Sequence, residues 1–277
     1  MLQGFLVVPS VFRNNTNQFI KKRIFRLYPS YIFTLILTVL IALYINSDIN
    51  IREIYVYFIK ELLLFRGSDF YGISNGAIWA VFIQLQVYFV CYLVARWLIK
   101  IDKFAIWLVI FVILLAINYL DKYLSLIIEN TISRPMSIAY SYFFLRFSYF
   151  FYLGIMVYKF KDRIIPILSK YAFWLLLLHL IWHLQFIELP SGYCYTDPIT
   201  VITSSLAAIG IAYRLKKIKL KYEISYDIYV WHMPVYTGLS LLFLPNGYIH
   251  IVLSIIVTIF FSFLSNYLSK VIVGYVK

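Results

Sequence analysis

Residues 21–46 read KKRIFRLYPSYIFTLILTVLIALYIN: four basic side chains within six residues, then nineteen residues, Tyr28 to Asn46, without a single charge. A run of that length crosses the hydrocarbon core of a bilayer as a helix, which needs about 17–25 residues. A helix is preferred to a barrel strand because the run is continuously apolar, with no period-2 alternation, and because a helix satisfies its own backbone polar groups where water is absent. Seven further runs have the same character, at about 78–95, 104–120, 140–158, 171–187, 198–213, 223–244 and 249–269. Residues 2–12 are also apolar but too short to span alone, and with no basic region before them and no small-residue cleavage site after them they do not read as a signal peptide.

Composition points the same way. With 63% hydrophobic residues, 20% aromatic and 13% charged, these 277 residues lack the polar surface that a water-soluble fold needs. The net charge of +13 raises the question of nucleic acid, but the basic residues sit in short clusters between apolar runs and form no continuous face, so no nucleic-acid partner is expected. Topology accounts for the excess. Segments 13–26, 96–103, 159–170, 214–221 and 270–277 hold 19 of the 25 basic residues, whereas the alternate loops hold Arg52, Lys60, Arg66, Lys122 and Arg134 together with eight of the twelve acids. Under the positive-inside rule the basic loops are cytoplasmic, which puts the C-terminus in the cytoplasm. The expected fold is therefore all-α and polytopic: about eight transmembrane helices plus an N-terminal partial span, in one domain over 1–277. Only the loop 47–77 is long, with room for a short helix or a re-entrant piece. Cys91 lies in an apolar run and Cys194 in a short loop, so neither a disulfide framework nor a thiolate metal site is indicated.

Ionisable groups inside a bilayer are costly, and each needs a partner, a wet cavity or a task. Arg146, placed about two turns inside its span, either holds an anionic group or snorkels to the interface. Asp227, one turn inside its span, reads more simply as facing loop water or Lys221. His179 and His183 share a helix face at i, i+4, a spacing open to a metal, but nothing else in the sequence supplies ligands and packing against neighbouring helices is preferred; no metal is expected. His232 precedes Met233 and Pro234, and a proline that frees a carbonyl one turn back favours a polar lining, so a functional and a packing role both stand. Arg23 and Arg26, at i, i+3, share a face suited to a phosphate group; the simpler reading is a topology signal that also attracts anionic lipid.

Five landmarks in order change that balance. Gly4-Phe5-Leu6, then Arg23-Ile24-Phe25-Arg26-Leu27-Tyr28-Pro29, then Trp79 with Gln84-Leu85-Gln86-Val87-Tyr88, then Phe151-Tyr152-Leu153-Gly154, then Tyr226-Asp227-Ile228-Tyr229-Val230-Trp231-His232 together resemble the membrane-bound acyltransferase family 3, bacterial O-acyltransferases of polysaccharides. The resemblance runs over essentially the whole chain. It implies about ten spans in a bacterial cytoplasmic (inner) membrane, and transfer of an acyl group, usually acetyl, from acyl-coenzyme A to a hydroxyl of a cell-surface glycan or lipid-linked sugar. The coenzyme is then a donor substrate, with no bound cofactor implied. On this resemblance Arg23 and Arg26 meet the coenzyme's phosphates, and Trp79, Tyr88 and Tyr226 line the substrate. His232, Gln84 and Arg146 are the residues to test for catalysis: a histidine takes the acceptor's proton and a cation or hydrogen-bond donor steadies the developing charge.

Two departures accompany the resemblance. Gln84 stands where the family commonly has a glutamate, and an amide cannot ionise. The family's first span carries an arginine with a histidine eleven residues later, and none of His179, His183, His232 or His250 has an arginine eleven positions before it, Lys221 being the nearest imitation. The resemblance therefore implies that the family's first span and part of its second are missing ahead of Met1, which would leave activity in question. The rival class is a transporter, flippase or polymerase for lipid-linked polysaccharide; a non-catalytic remnant is the other alternative.

Overall fold

A computed structural model describes residues 2–63, 69–76, 78–131, 143–184, 197–215, 224–242 and 247–275. The described residues form α1 (Leu2–Arg13), α2 (Thr16–Ile45), α3 (Ile51–Leu62), α4 (Ile78–Leu98), α5 (Phe104–Thr131), a 3-10 turn (Phe144–Phe147), α6 (Ser148–Lys159), α7 (Lys161–Leu184), α8 (Pro198–Arg214), α9 (Ser225–Leu242) and α10 (Tyr248–Tyr275). Beyond the helices there is one isolated antiparallel bridge, Phe70 with Ile73. Five stretches are long and apolar enough to cross a membrane: Thr16–Ile45, Ala80–Leu98, Phe104–Asp121, Lys161–Leu184 and Tyr248–Val271. The other three expected spans correspond to α6, α8 and α9, which are shorter or more polar, so five of the eight meet the criterion among the described residues.

The helices gather into two compact units, Met1–Thr16 with Leu85–Lys219 and Asn17–Gln84 with Leu220–Lys277; the division falls within α4. In the first, α1 is an inner helix: Val7, Val8 and Val11 are fully covered and the ring of Phe5 meets that of Tyr158 edge-on at 5.7 Å. Small residues let backbones touch, as in other helix pairs in lipid. A Cβ built on Gly4 would lie 2.2 Å from the carbonyl oxygen of Phe151 in α6, and one on Gly210 in α8 would lie 2.4 Å from that of Leu168 in α7. These neighbours are main chain and cannot swing aside. Gly4→Ala and Gly210→Ala are each expected to destabilise the fold by about 1–3 kcal/mol, the usual range for overpacking, seen as a lower unfolding midpoint in detergent; unchanged midpoints in both would contradict these approaches. The turn between α4 and α5 is tied to the end of α6 by Lys159, whose Nζ donates to Asp102 Oδ1 at 2.7 Å and to the Ile99 carbonyl at 2.6 Å.

In the second unit the long loop folds back along α2. Asn50 caps α3 by accepting from the Arg52 N–H at 2.9 Å. The Tyr31 hydroxyl donates to the Glu61 carbonyl at 2.5 Å, and the Tyr28 hydroxyl to that of Leu62 at 3.5 Å. Tyr28 precedes the end of α2 at Ile45 by 17 residues, a rise of ~25 Å at ~1.5 Å per residue. The short helix for which the loop had room, α3, therefore doubles back along α2 over about that length. The chain then turns through Tyr71 (φ 51°) and Gly72 (φ 82°). The Ser74 N–H donates to Thr237 Oγ1 of α9 at 3.0 Å, which ties this irregular backbone to α9.

Candidate active site

The first two turns of α9 converge on the basic end of α2. The Tyr226 hydroxyl donates to the Leu27 carbonyl at 3.0 Å, and Ser30 Oγ donates to Asp227 Oδ1. Farther along, a Cβ on Gly238 would lie 3.0 Å from Ile41 Cδ1. These pairings keep a nearly constant offset in residue number, so α2 and α9 run parallel in register. His232 then lies level with about residue 35 of α2, and at ~1.5 Å per residue it stands ~14 Å along the axis from the level of Arg26 and ~18 Å from that of Arg23. Arg26 is exposed; Arg23 is partly covered, its guanidinium 5.2 Å from the centre of the Phe19 ring.

Asp227 corrects the simpler sequence reading. It does not face loop water: only 4% of its surface is exposed. Besides Ser30 it accepts from Ser265 Oγ at 3.0 Å and, on Oδ2, from Asn266 Nδ2 at 3.2 Å, both on α10. Trp231 Nε1 donates in turn to Ser265 Oγ at 3.0 Å, and its ring stacks on Phe261 at 4.9 Å. Three hydrogen bonds from two helices compensate a carboxylate that would otherwise be very costly to bury. The signal for this was in α10, where His250, Ser254, Thr258, Ser262 and Ser265 recur every three or four residues in an otherwise apolar helix, and all five are buried.

His232 lies on the exposed side of α9, away from that core. Its Nδ1 is 2.6 Å from the carbonyl oxygen of Tyr229. A carbonyl only accepts, so Nδ1 carries the proton, and in the neutral ring Nε2 holds the lone pair. That tautomer is the one a general base needs. His250, by contrast, is enclosed, with Nε2 3.0 Å from Ser240 Oγ and 3.1 Å from the Tyr236 carbonyl. In the first unit His179 Nδ1 is 3.3 Å from Thr203 Oγ1 of α8, the inter-helix packing expected of it, with the His183 ring 5.7 Å away.

The remaining candidates divide between the units. Gln84 is half-buried at the point of division in α4; Trp79 is on the same helix, its side chain outside the described residues. Tyr88 and Arg146 belong to the first unit, where Tyr88 is buried. Arg146 is not inside a span helix: α6 begins only at Ser148, because Phe147 (φ −107°, ψ 1°) breaks the helical path, and Arg146 occupies the 3-10 turn before it. Its side chain lies outside the described residues. One residue of the Gln84-to-Tyr88 landmark does reach that turn: Gln86 Oε1 accepts from the Phe144 N–H at 3.2 Å.

Long apolar helices with buried polar contacts between them define a multi-pass membrane protein. The acyltransferase family 3 model, described as an acyltransferase domain, matches residues 1–267, and the chain belongs to that family: it is a membrane acyltransferase. Comparison with curated proteins and with solved structures finds no significant match.

Proposed function

We propose that the chain moves an acyl group, acetyl in the simplest case, from acyl-coenzyme A to a hydroxyl of a cell-surface or lipid-linked glycan, in the cytoplasmic membrane of a bacterium. The observation that carries this reading is the docking of α9 on α2 through Tyr226 and Asp227, which joins the basic turn and the histidine turn in one body. Arg23 and Arg26 offer guanidinium forks to the coenzyme's phosphates at the Lys- and Arg-rich end of α2. The thioester, separated from those phosphates by the extended pantetheine arm, then reaches toward the level of His232.

There Nε2 takes the proton of the acceptor hydroxyl as its oxygen attacks the thioester carbon; the carbon–sulfur bond breaks and the coenzyme leaves as a thiolate, which the imidazolium reprotonates. Gln84, in the same unit as His232, is neutral and in this scheme donates hydrogen bonds to the oxyanion. Tyr226, at the start of α9, contributes an aromatic face to the substrate.

The test is transfer of labelled acetyl from acetyl-coenzyme A in vesicles sealed with their cytoplasmic face outward. The expected product is alkali-labile label in the glycan fraction, formed only when the chain is present. Translocation of a lipid-linked glycan without any labelled ester would favour the transporter class instead.

A further inference from the structure

We propose that Asp227 is a positioning residue of the transfer site: its buried carboxylate locks the turn of α2 that carries Arg26 to the turn of α9 that leads to His232. This rests on the acyl-transfer reading above. Asp227 touches no group assigned to the chemistry, and its three donors are Ser30 on α2 and Ser265 and Asn266 on α10. Ser30 is four residues from Arg26 and seven from Arg23, on one face of α2. His232 is five residues beyond Asp227, and α9 between them is held by Trp231 on Ser265.

One carboxylate thus fixes both the rotation and the axial register of two parallel helices that bring donor phosphates and base to their separation. The donors aimed at Asp227 are the neutral side chains of Ser30, Ser265 and Asn266, so the carboxyl group draws the helices together through hydrogen bonds. An alanine there removes the acceptor that Ser30, Ser265 and Asn266 share. The helices remain apolar enough to insert, but their register is no longer pinned. A misplacement of about 1 Å at a reacting centre can cost on the order of 100-fold in rate.

Asp227→Ala is expected to lower kcat about 100-fold and to raise KM for acetyl-coenzyme A, with helical content unchanged by circular dichroism. Asp227→Asn combined with Asn266→Asp exchanges the two groups, returns a carboxylate to the same network, and is expected to recover most of the lost rate. A spin-label pair at Lys22→Cys and Ile228→Cys, with Cys91 and Cys194 changed to serine, reads the register of α2 and α9 directly. The distance distribution should be narrow in the parent, broad in Asp227→Ala and narrow again in the exchanged pair. An unchanged width in Asp227→Ala overturns the positioning role whatever the activity. A broadened width in a preparation whose parent chain transfers nothing keeps the helix lock but overturns the acyl-transfer reading, and with it the positioning role in transfer; full activity in Asp227→Ala overturns the role.

Discussion

His232→Ala lowers kcat for acyl transfer by roughly 10²–10⁴-fold, the usual contribution of a positioned general base, and leaves KM for acyl-coenzyme A nearly unchanged. The reasoning starts from placement. His232 is exposed on its helix, so removing the ring opens no cavity in the packed core and breaks a bond to the Tyr229 carbonyl. A loss of stability is therefore not the expected source of the defect. Besides that bond the ring meets only the Tyr229 ring, 5.6 Å away, among the contacts of the described residues. The bond to the carbonyl holds the proton on Nδ1 and presents Nε2 to the acceptor. His232→Gln keeps a hydrogen-bonding side chain without a basic nitrogen, and should be as inactive as alanine. Retention of more than about a tenth of the parent kcat in both variants would be outside what loss of a general base allows and would remove His232 from the mechanism.

The Arg23→Ala, Arg26→Ala double variant acts on the other substrate parameter. Each charge-assisted hydrogen bond is worth about 1.5–3 kcal/mol, so losing one from each arginine raises KM for acyl-coenzyme A by roughly 10²–10⁴-fold, at about 1.4 kcal/mol per factor of ten. The expected change in kcat is small, because these contacts form in the ground state and in the transition state alike. Arg26 is exposed and should be the more salt-sensitive contributor; Arg23 lies over Phe19 and is partly shielded. Lysines at both positions restore the charge without the planar fork, and should recover only part of the affinity. A KM unmoved by the double alanine change would return these residues to the topology-signal reading.

Much of the fold was legible because bilayer solvation writes directly into sequence. The runs at 28–46, 104–120 and 249–269 need only length and the absence of charge to be recognised; α5 and α10 contain theirs, and α2 covers its own up to Ile45. Where the sequence reading went astray, the deciding interaction lay across helices. Asp227 resembles a loop-facing acid because its linear neighbours are all one sees; its partners Ser30 and Ser265 are 197 and 38 residues away. The periodic polar face of α10 was the available clue, since small hydroxyls repeated on one side of an apolar helix imply a buried partner helix. The Arg146 segment reads as uninterrupted span because Phe and Tyr are apolar enough for one, whereas the 3-10 turn is a backbone feature that composition does not mark. The hairpin of α2 and α3 was open to anticipation only as a long loop, because the contacts that fix its extent are tyrosine hydroxyls on carbonyls.

The most direct test of the account is to mix purified chain in nanodiscs with acetyl-coenzyme A and a glycan acceptor and to measure released coenzyme thiol and glycan ester together. The account predicts that both rise in equal amounts, that neither forms without acceptor, and that His232→Ala abolishes both in step. Ester and thiol absent from the parent chain, with intact folding and bound acetyl-coenzyme A, would contradict it.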